Sequence, residues 1–222
     1  MSLAERKLKS TSGFYRNYVK KFYDDAHLAK VEKRPVAWVA STFPVETLQA
    51  AGVVPVWPEN YASVCAARRV SVELCERAER EGFSRDLCSY SRCVLGSMFG
   101  YEKELPEGGL AKPDFLVATT CACDTHLKWF EVASRIYGVP LFLLDVPYNV
   151  GGGDSEHLDP VHVDFYVSQL GELFAFLEKQ TGKRMDLDRL SETLAVSNWT
   201  SRLWMEIQDY RKCVPSPMDA RD

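Results

Sequence analysis

Four short apolar runs, each followed by a helix-like stretch, constrain this chain more than any other feature. They are VAWVAS (36–41), VVPVWP (53–58), DFLVATT (114–120) and PLFLLDV (140–146). Their length and β-branched content suit buried strands, whereas between them apolar residues recur at helical spacing, as in Trp129, Phe130, Ala133, Ile136 and Tyr137. Strands that alternate with helices return by right-handed crossovers and build a parallel sheet. The expected fold is therefore α/β, a parallel sheet of about four strands flanked by helices. Two long helical patterns, 161–181 and about 185–212, follow with no strand signal and are expected to cover the sheet rather than extend it.

The remaining segments divide the chain. Residues 1–34 read as an N-terminal helical segment with a solvated, Lys- and Tyr-rich face, 35–150 as the α/β domain, 151–213 as a helical segment, and 214–222 as a linker toward a further domain. FPVETLQAAG (43–52) reads as a helix entered through Pro44 and closed by Gly52, and ASVCAARRVSVELCERAEREG (62–82) as one helix ending at Gly82. Gly151 to Gly153 do not open a helix after a strand, so they read as a hinge rather than a phosphate loop.

With 222 residues, 46% hydrophobic and 26% charged, the chain can bury one good α/β core. A net charge of -4 argues against nucleic acid, whose binders carry a basic patch. No apolar stretch approaches the ~20 residues of a membrane span, and MSLAERKLKS lacks the apolar middle of a signal peptide. The expected location is the cytoplasm, with no membrane partner.

Seven cysteines exceed packing needs, and their odd number argues against a full set of internal disulfides. Cys65, Cys75 and Cys93 lie in helical, apolar contexts where a thiol acts as a small hydrophobe. Cys88, Cys121 and Cys123 lie in loop-like contexts. Cys123 precedes Asp124, which is expected to cap the following helix, and Cys88 opens its own helix beside Ser89 and Arg92. The positive end of a helix favours anions, thiolates among them. Spacing alone leaves four readings open. Zinc wants further paired ligands, and CAC is the one close pair; a redox dithiol normally uses C-x-x-C; an iron–sulfur cluster takes thiolates from distant positions; inert packing needs nothing. Ser41 and Thr42 follow the first strand at the same expected sheet edge and are candidate catalytic or hydrogen-bonding residues. Capping of the helix after Pro44 is the competing reading, and Glu46 and Asn60 have weaker claims.

The series FPVETLQAAGVVPVWPENY, SRDLCSYSRCVLG, CDTHLKWFE, YGVPLFLLDVPY and PSPMD, in that order, resembles the N-terminal half of a subunit of the benzoyl-CoA reductase and 2-hydroxyacyl-CoA dehydratase family. The resemblance covers roughly residues 35 to 220. It implies a Rossmann-like domain with a [4Fe-4S] cluster held in the cleft between two such domains, and Cys88 and Cys123 match the two cysteine motifs that bind it. The third ligand comes from the second domain, which would have to follow this chain or reside on another polypeptide; Cys121 and Cys93 are weaker substitutes. Single electrons at very low potential pass to an acyl-CoA thioester, supplied by a separate ATP-hydrolysing activator protein, with a homologous second subunit as partner. This chain carries no G-x-x-x-x-G-K-[ST] loop of its own. VPVWPENY and DLCSYSR look more like the reductase branch, which makes a benzoyl-CoA reductase-like oxidoreductase the expected enzyme and a dehydratase the alternative. A reading of another class makes the chain a non-catalytic scaffold or assembly subunit that binds its partner through the helices after Pro160.

Overall fold

The computed structural model describes residues 9–100, 104–147 and 159–216, with side chains from residue 15 onward. The order of elements is α1 (Lys9–Val31), β1 (Val36–Val39), α2 (Val45–Ala50), β2 (Val54–Val56), α3 (Pro58–Ala67), α4 (Ser71–Arg80), α5 (Ser89–Met98), β3 (Phe115–Thr119), α6 (Asp124–Tyr137), β4 (Leu141–Leu144), α7 (Pro160–Thr181) and α8 (Leu187–Tyr210), with a 3₁₀ turn at Pro106–Gly108. The four expected strands form one sheet in the order β2-β1-β3-β4, with every pairing parallel. Gly151 to Gly153, and Pro217 to Asp219 of the closing motif, lie outside the described residues.

All residues of β1 and β3 are buried, as expected of central strands covered on both faces. Trp38 stands opposite Leu116 in the register and meets the Tyr137 ring of α6 edge-on at 5.3 Å. Phe115, one residue earlier on its strand and so on the other face, meets Phe176 of α7 at 5.5 Å. The sheet is thus sandwiched, with α6 and α7 on opposite sides. Trp38 also donates its indole N–H to the Ala111 carbonyl at 2.9 Å, so the largest core side chain is polar-satisfied as well as buried.

The expected single helix over 62–82 is two helices. α3 ends at Ala67, Arg69 takes φ 60°, and the amides of Arg69 and Val70 return to the carbonyls of Ala66 and Cys65. This 5→2 and 6→1 pair closes a helix in the Schellman manner, normally with glycine at the left-handed position. The same closure uses Lys33 (φ 57°) after α1, with Arg34 donating to Ala29, and ordinary glycines at Gly52 and Gly82. The break lets α4 fold back on α5, and these two approach so closely that a Cβ on Gly96 would stand 1.8 Å from the Leu74 carbonyl oxygen. α7 packs on β4 and α8 on α2, and neither adds to the sheet.

Gly96→Ala therefore forces the backbones of α4 and α5 apart. It is expected to cost about 1–3 kcal/mol in chemical denaturation, as overpacking of a tight core does, whereas Gly171→Ala, with nothing within 4 Å of the new methyl, should be neutral or slightly stabilising.

Candidate functional site

The strand order reverses between β1 and β3: from β1 the chain moves outward to β2, and after β3 it moves outward the other way to β4. In open parallel sheets the crevice at the carboxyl end of such a switch point is where ligands sit. Here it is lined by the segments after β1 (Ser41, Thr42) and β3 (Thr120 to Cys123). The two are joined across the switch by a hydrogen bond between the Thr42 and Thr119 hydroxyls, 2.5 Å apart, and Thr119 also contacts the Cys121 sulfur at 3.2 Å.

Cys123 is itself the N-cap of α6, with Asp124 the first helical residue, which corrects the expectation that Asp124 caps this helix. Its carbonyl accepts the amides of His126 and Leu127, and its extended backbone leaves the thiol exposed. Cys88 occupies the identical place on α5, again exposed, with its carbonyl accepting from the Arg92 amide and the Ser91 hydroxyl. Neither side chain caps its own helix, so both helices keep amide donors free for another acceptor. α5 and α6 pack together, which makes the two exposed thiols the leading ends of neighbouring helices. Cys121 is exposed in the same turn.

Cys65, Cys75 and Cys93 are buried. The hydrogen bond to Cys65, and burial, push the Cys93 thiol far above the usual range, and burial raises Cys75. Cys93 is 1% exposed and bonded to Cys65, so it is packed into the core rather than turned outward as Cys88 and Cys123 are. Among the described residues no three His, Cys, Asp or Glu side chains converge as a closed metal site. The donors that are presented, two outward thiols on two helix starts, suit a cluster whose remaining ligands come from elsewhere, since iron–sulfur clusters accept thiolates from separate parts of a protein. They do not suit a closed tetrahedral zinc site.

Two residues that the sequence reading passed over complete the crevice. Glu59, in the first turn of α3, accepts the Ser41 amide at 3.1 Å and bonds the His126 imidazole Nε2 through the same oxygen. His126 is 6% exposed and held against Trp129 and Phe130. Burial pushes the Glu59 carboxyl up, but the bonds from His126, from its own amide and from Ser41 outweigh it and hold the group below the ordinary carboxylate value. Its second oxygen, the other imidazole nitrogen and the Trp129 indole N–H are buried without a partner among the described residues. Glu59 left no motif in the sequence beyond its place after Pro58 at a helix start, where an acidic residue is ordinary. Ser41 and Thr42 do not cap α2, whose N-cap is Pro44; they belong to the crevice. Glu46 and Asn60 tie elements together, Glu46 accepting from Ser197 of α8 and Asn60 donating to the Tyr23 hydroxyl.

A doubly covered parallel sheet with a polar, thiol-bearing crevice at its switch point defines an α/β ligand- or cofactor-binding domain. Residues 40–222 match the family model described as 2-hydroxyglutaryl-CoA dehydratase, D-component, and the chain belongs to that family. It is similar to the (R)-phenyllactyl-CoA dehydratase alpha subunit of Clostridium sporogenes (32% identical, 98% of this chain and 52% of the relative) and to the (R)-2-hydroxyisocaproyl-CoA dehydratase alpha subunit of Clostridioides difficile (33%, 90% and 48%). A benzoyl-CoA reductase subunit of Thauera aromatica is 32% identical over 73% of this chain and 37% of its own length. The chain thus spans about half the length of the curated relatives it matches, or less. No helix among the described residues is long and apolar enough to cross a membrane.

Glu59→Ala would leave His126 Nε2 buried without its acceptor. It is expected to destabilise the fold by about 1–3 kcal/mol at neutral pH, measured by denaturant titration. The contribution of Glu59 is present above the ordinary carboxylate range and is lost as pH falls through its lowered folded value, so the difference between wild type and variant should shrink under acid conditions.

Proposed function

We propose that this chain is the cluster-bearing half of an alpha subunit of a 2-hydroxyacyl-CoA dehydratase. Cys88 and Cys123 would supply two thiolates to a [4Fe-4S] cluster, and the crevice around Ser41, Thr42 and Glu59 would form one wall of the acyl-CoA site. The observation that carries this is the pair of exposed cysteines at identical cap positions of two touching helices, in a chain of this family. The dehydratase branch is preferred to the reductase branch expected from the sequence, because the two dehydratase alpha subunits align with 90% of the chain or more and the reductase subunit with 73%.

When bound, the cluster would supply low-potential single electrons to the thioester. The chain's own part is positional and electrostatic. The free amides at the starts of α5 and α6 favour the anionic state of what the two thiols hold. The Ser41 and Thr42 segment fixes the floor of the crevice. Glu59, held ionised by His126 and the Ser41 amide, would set a fixed negative charge beside the crevice and hold the imidazole and the Ser41 backbone in place. Loss of water from a 2-hydroxyacyl thioester removes a hydroxyl from C2 and a proton from C3 and leaves no net oxidation, so the electron the cluster would supply is returned at the end of each turnover. The electron would come from a separate ATP-hydrolysing activator protein, and the remaining cluster ligand from the second half or second subunit. As an enzyme subunit the chain differs from a scaffold in one cheap respect: a scaffold has no use for exposed cap thiols.

The test is anaerobic purification of the chain with its complementary polypeptides. A brown complex with iron and sulfide near a 1:1 ratio, active with activator, ATP and 2-hydroxyacyl-CoA thioesters, is expected. Cys88→Ala and Cys123→Ala should each remove most of the iron, with folding checked by circular dichroism. Cys65→Ala and Cys75→Ala should keep it, at a stability loss of order 1 kcal/mol. Cys121→Ala should keep the cluster but change its potential or oxygen sensitivity. Colourless, iron-free protein after reconstitution would favour the scaffold, and full iron retention in Cys123→Ala would mean that the wrong thiol is assigned.

A further inference from the structure

The backbone ladder of the sheet ends before the cysteine turn begins. Its last bond among the described residues runs from the Ala40 amide to the Val117 carbonyl on the β1 side, and from the Thr120 amide to the Leu144 carbonyl on the β4 side. Beyond that point two adjacent hydroxyls continue the connection, one to each neighbour. Thr119, the last residue of β3 and 2% exposed, meets the Thr42 hydroxyl at 2.5 Å and the Cys121 sulfur at 3.2 Å. A hydroxyl has one proton, so Thr119 donates in one of these contacts and accepts in the other. Thr120 donates to the Asp145 carboxylate at 2.7 Å and accepts the Val146 amide at 2.9 Å. The Asp145 amide in turn donates to the Gln169 side chain of α7 at 3.4 Å.

The turn that follows has no ladder of its own. The amides of Cys121, Ala122 and Cys123 make no backbone hydrogen bond among the described residues, and all three residues are exposed. Its far end is held by α6, whose His126 and Leu127 amides donate to the Cys123 carbonyl at 3.0 and 3.2 Å. Its near end is held by the two threonines. We propose that Thr119 and Thr120 are positioning residues for this turn: their hydroxyls fix Cys121 and Cys123 against the Ser41 and Thr42 segment on one side and against β4 and α7 on the other. A segment without backbone bonds keeps one geometry only through its ends, because each unfixed residue retains conformational freedom that a fixed place must remove. Cys88 is held by other means. Arg92 donates from Nε to the Leu87 carbonyl at 3.0 Å and pairs with Glu79 of α4, so the loop before α5 is tied to a different element. A change at the threonines is therefore felt at one exposed thiol of the pair and not at the other. What the turn holds rests on the function proposed above; the hydroxyl contacts do not.

Hydrogen exchange of the full chain, read by mass spectrometry, tests this without any cluster. Thr119→Val and Thr120→Val keep the shape and remove the hydroxyl, whereas Thr119→Ser and Thr120→Ser keep the hydroxyl and remove a methyl. Each valine variant is expected to speed exchange of the His126 and Leu127 amides about tenfold, a difference of about 1.4 kcal/mol and so on the scale of one net hydrogen bond. The Arg92 amide, which donates to the Cys88 carbonyl, should keep its wild-type rate. The serine variants should stay close to wild type. In the anaerobic complex, the valine variants should alter the electron paramagnetic resonance spectrum of the reduced cluster and the serine variants should preserve it. Four results would each overturn the proposal: unchanged exchange in the valine variants, serine variants more perturbed than valine ones, equal acceleration at Arg92, or an unaltered spectrum in an iron-bearing valine variant. An iron-free complex that still shows the valine pattern of exchange would sink the cluster assignment and support the positioning role.

Discussion

The pairing of β1 with β3 is the constraint on which the rest of this structure depends. Ala37, Trp38 and Val39 run beside Phe115, Leu116 and Val117 in parallel, with every residue fully buried. Because the pairing is parallel, both strands end at the same edge of the sheet. Because the neighbours β2 and β4 lie outside them, the chain leaves that edge in opposite directions and opens a crevice. The Thr42 to Thr119 contact and the reach of Glu59 from α3 to both Ser41 and His126 are consequences of that edge. Burial of apolar side chains supplies the stability, and the register converts it into the placement of polar groups.

Much of this was legible because the signals were local. Four apolar runs bounded by helical periodicity fix a parallel sheet, and their ends fix which loops share an edge; the expected strands at 36–41 and 114–120 differ from the observed ones only at their termini. Helix endings were legible where glycine marks them, at Gly52 and Gly82, and illegible at Arg69 and Lys33, where a long basic side chain occupies the same left-handed position. Nothing in RRV announces a stop; the Val70 amide returning to Cys65 does, and that is a property of the folded turn. The Cys123 and Asp124 pair misled by one residue, because aspartate is the better capping type and yet the chain enters α6 one position earlier.

The site was half legible for the same reason. Cys88 and Cys123 stand out by residue type beside a strand end or helix start. Glu59 and His126 are separated by 67 residues and meet only because α3 and α6 begin at the same edge. Neither is unusual where it stands in sequence. The result is a crevice in which a carboxylate held below its ordinary range, a buried imidazole and the exposed Cys121 and Cys123 thiols meet at one edge of the sheet, which is chemistry that a packing role does not require.

The central claim is that Cys88 and Cys123 hold one cluster together. Anomalous diffraction at the iron edge from crystals of the anaerobic complex tests it directly. The account predicts one compact group of iron peaks in which two different irons are each bonded, at about 2.3 Å, to one of the sulfurs at the starts of α5 and α6, a typical distance on the scale of other metal–sulfur bonds. Iron bonded to Cys121 in place of Cys123, or iron at the two thiols too far apart to belong to one cluster, would contradict it.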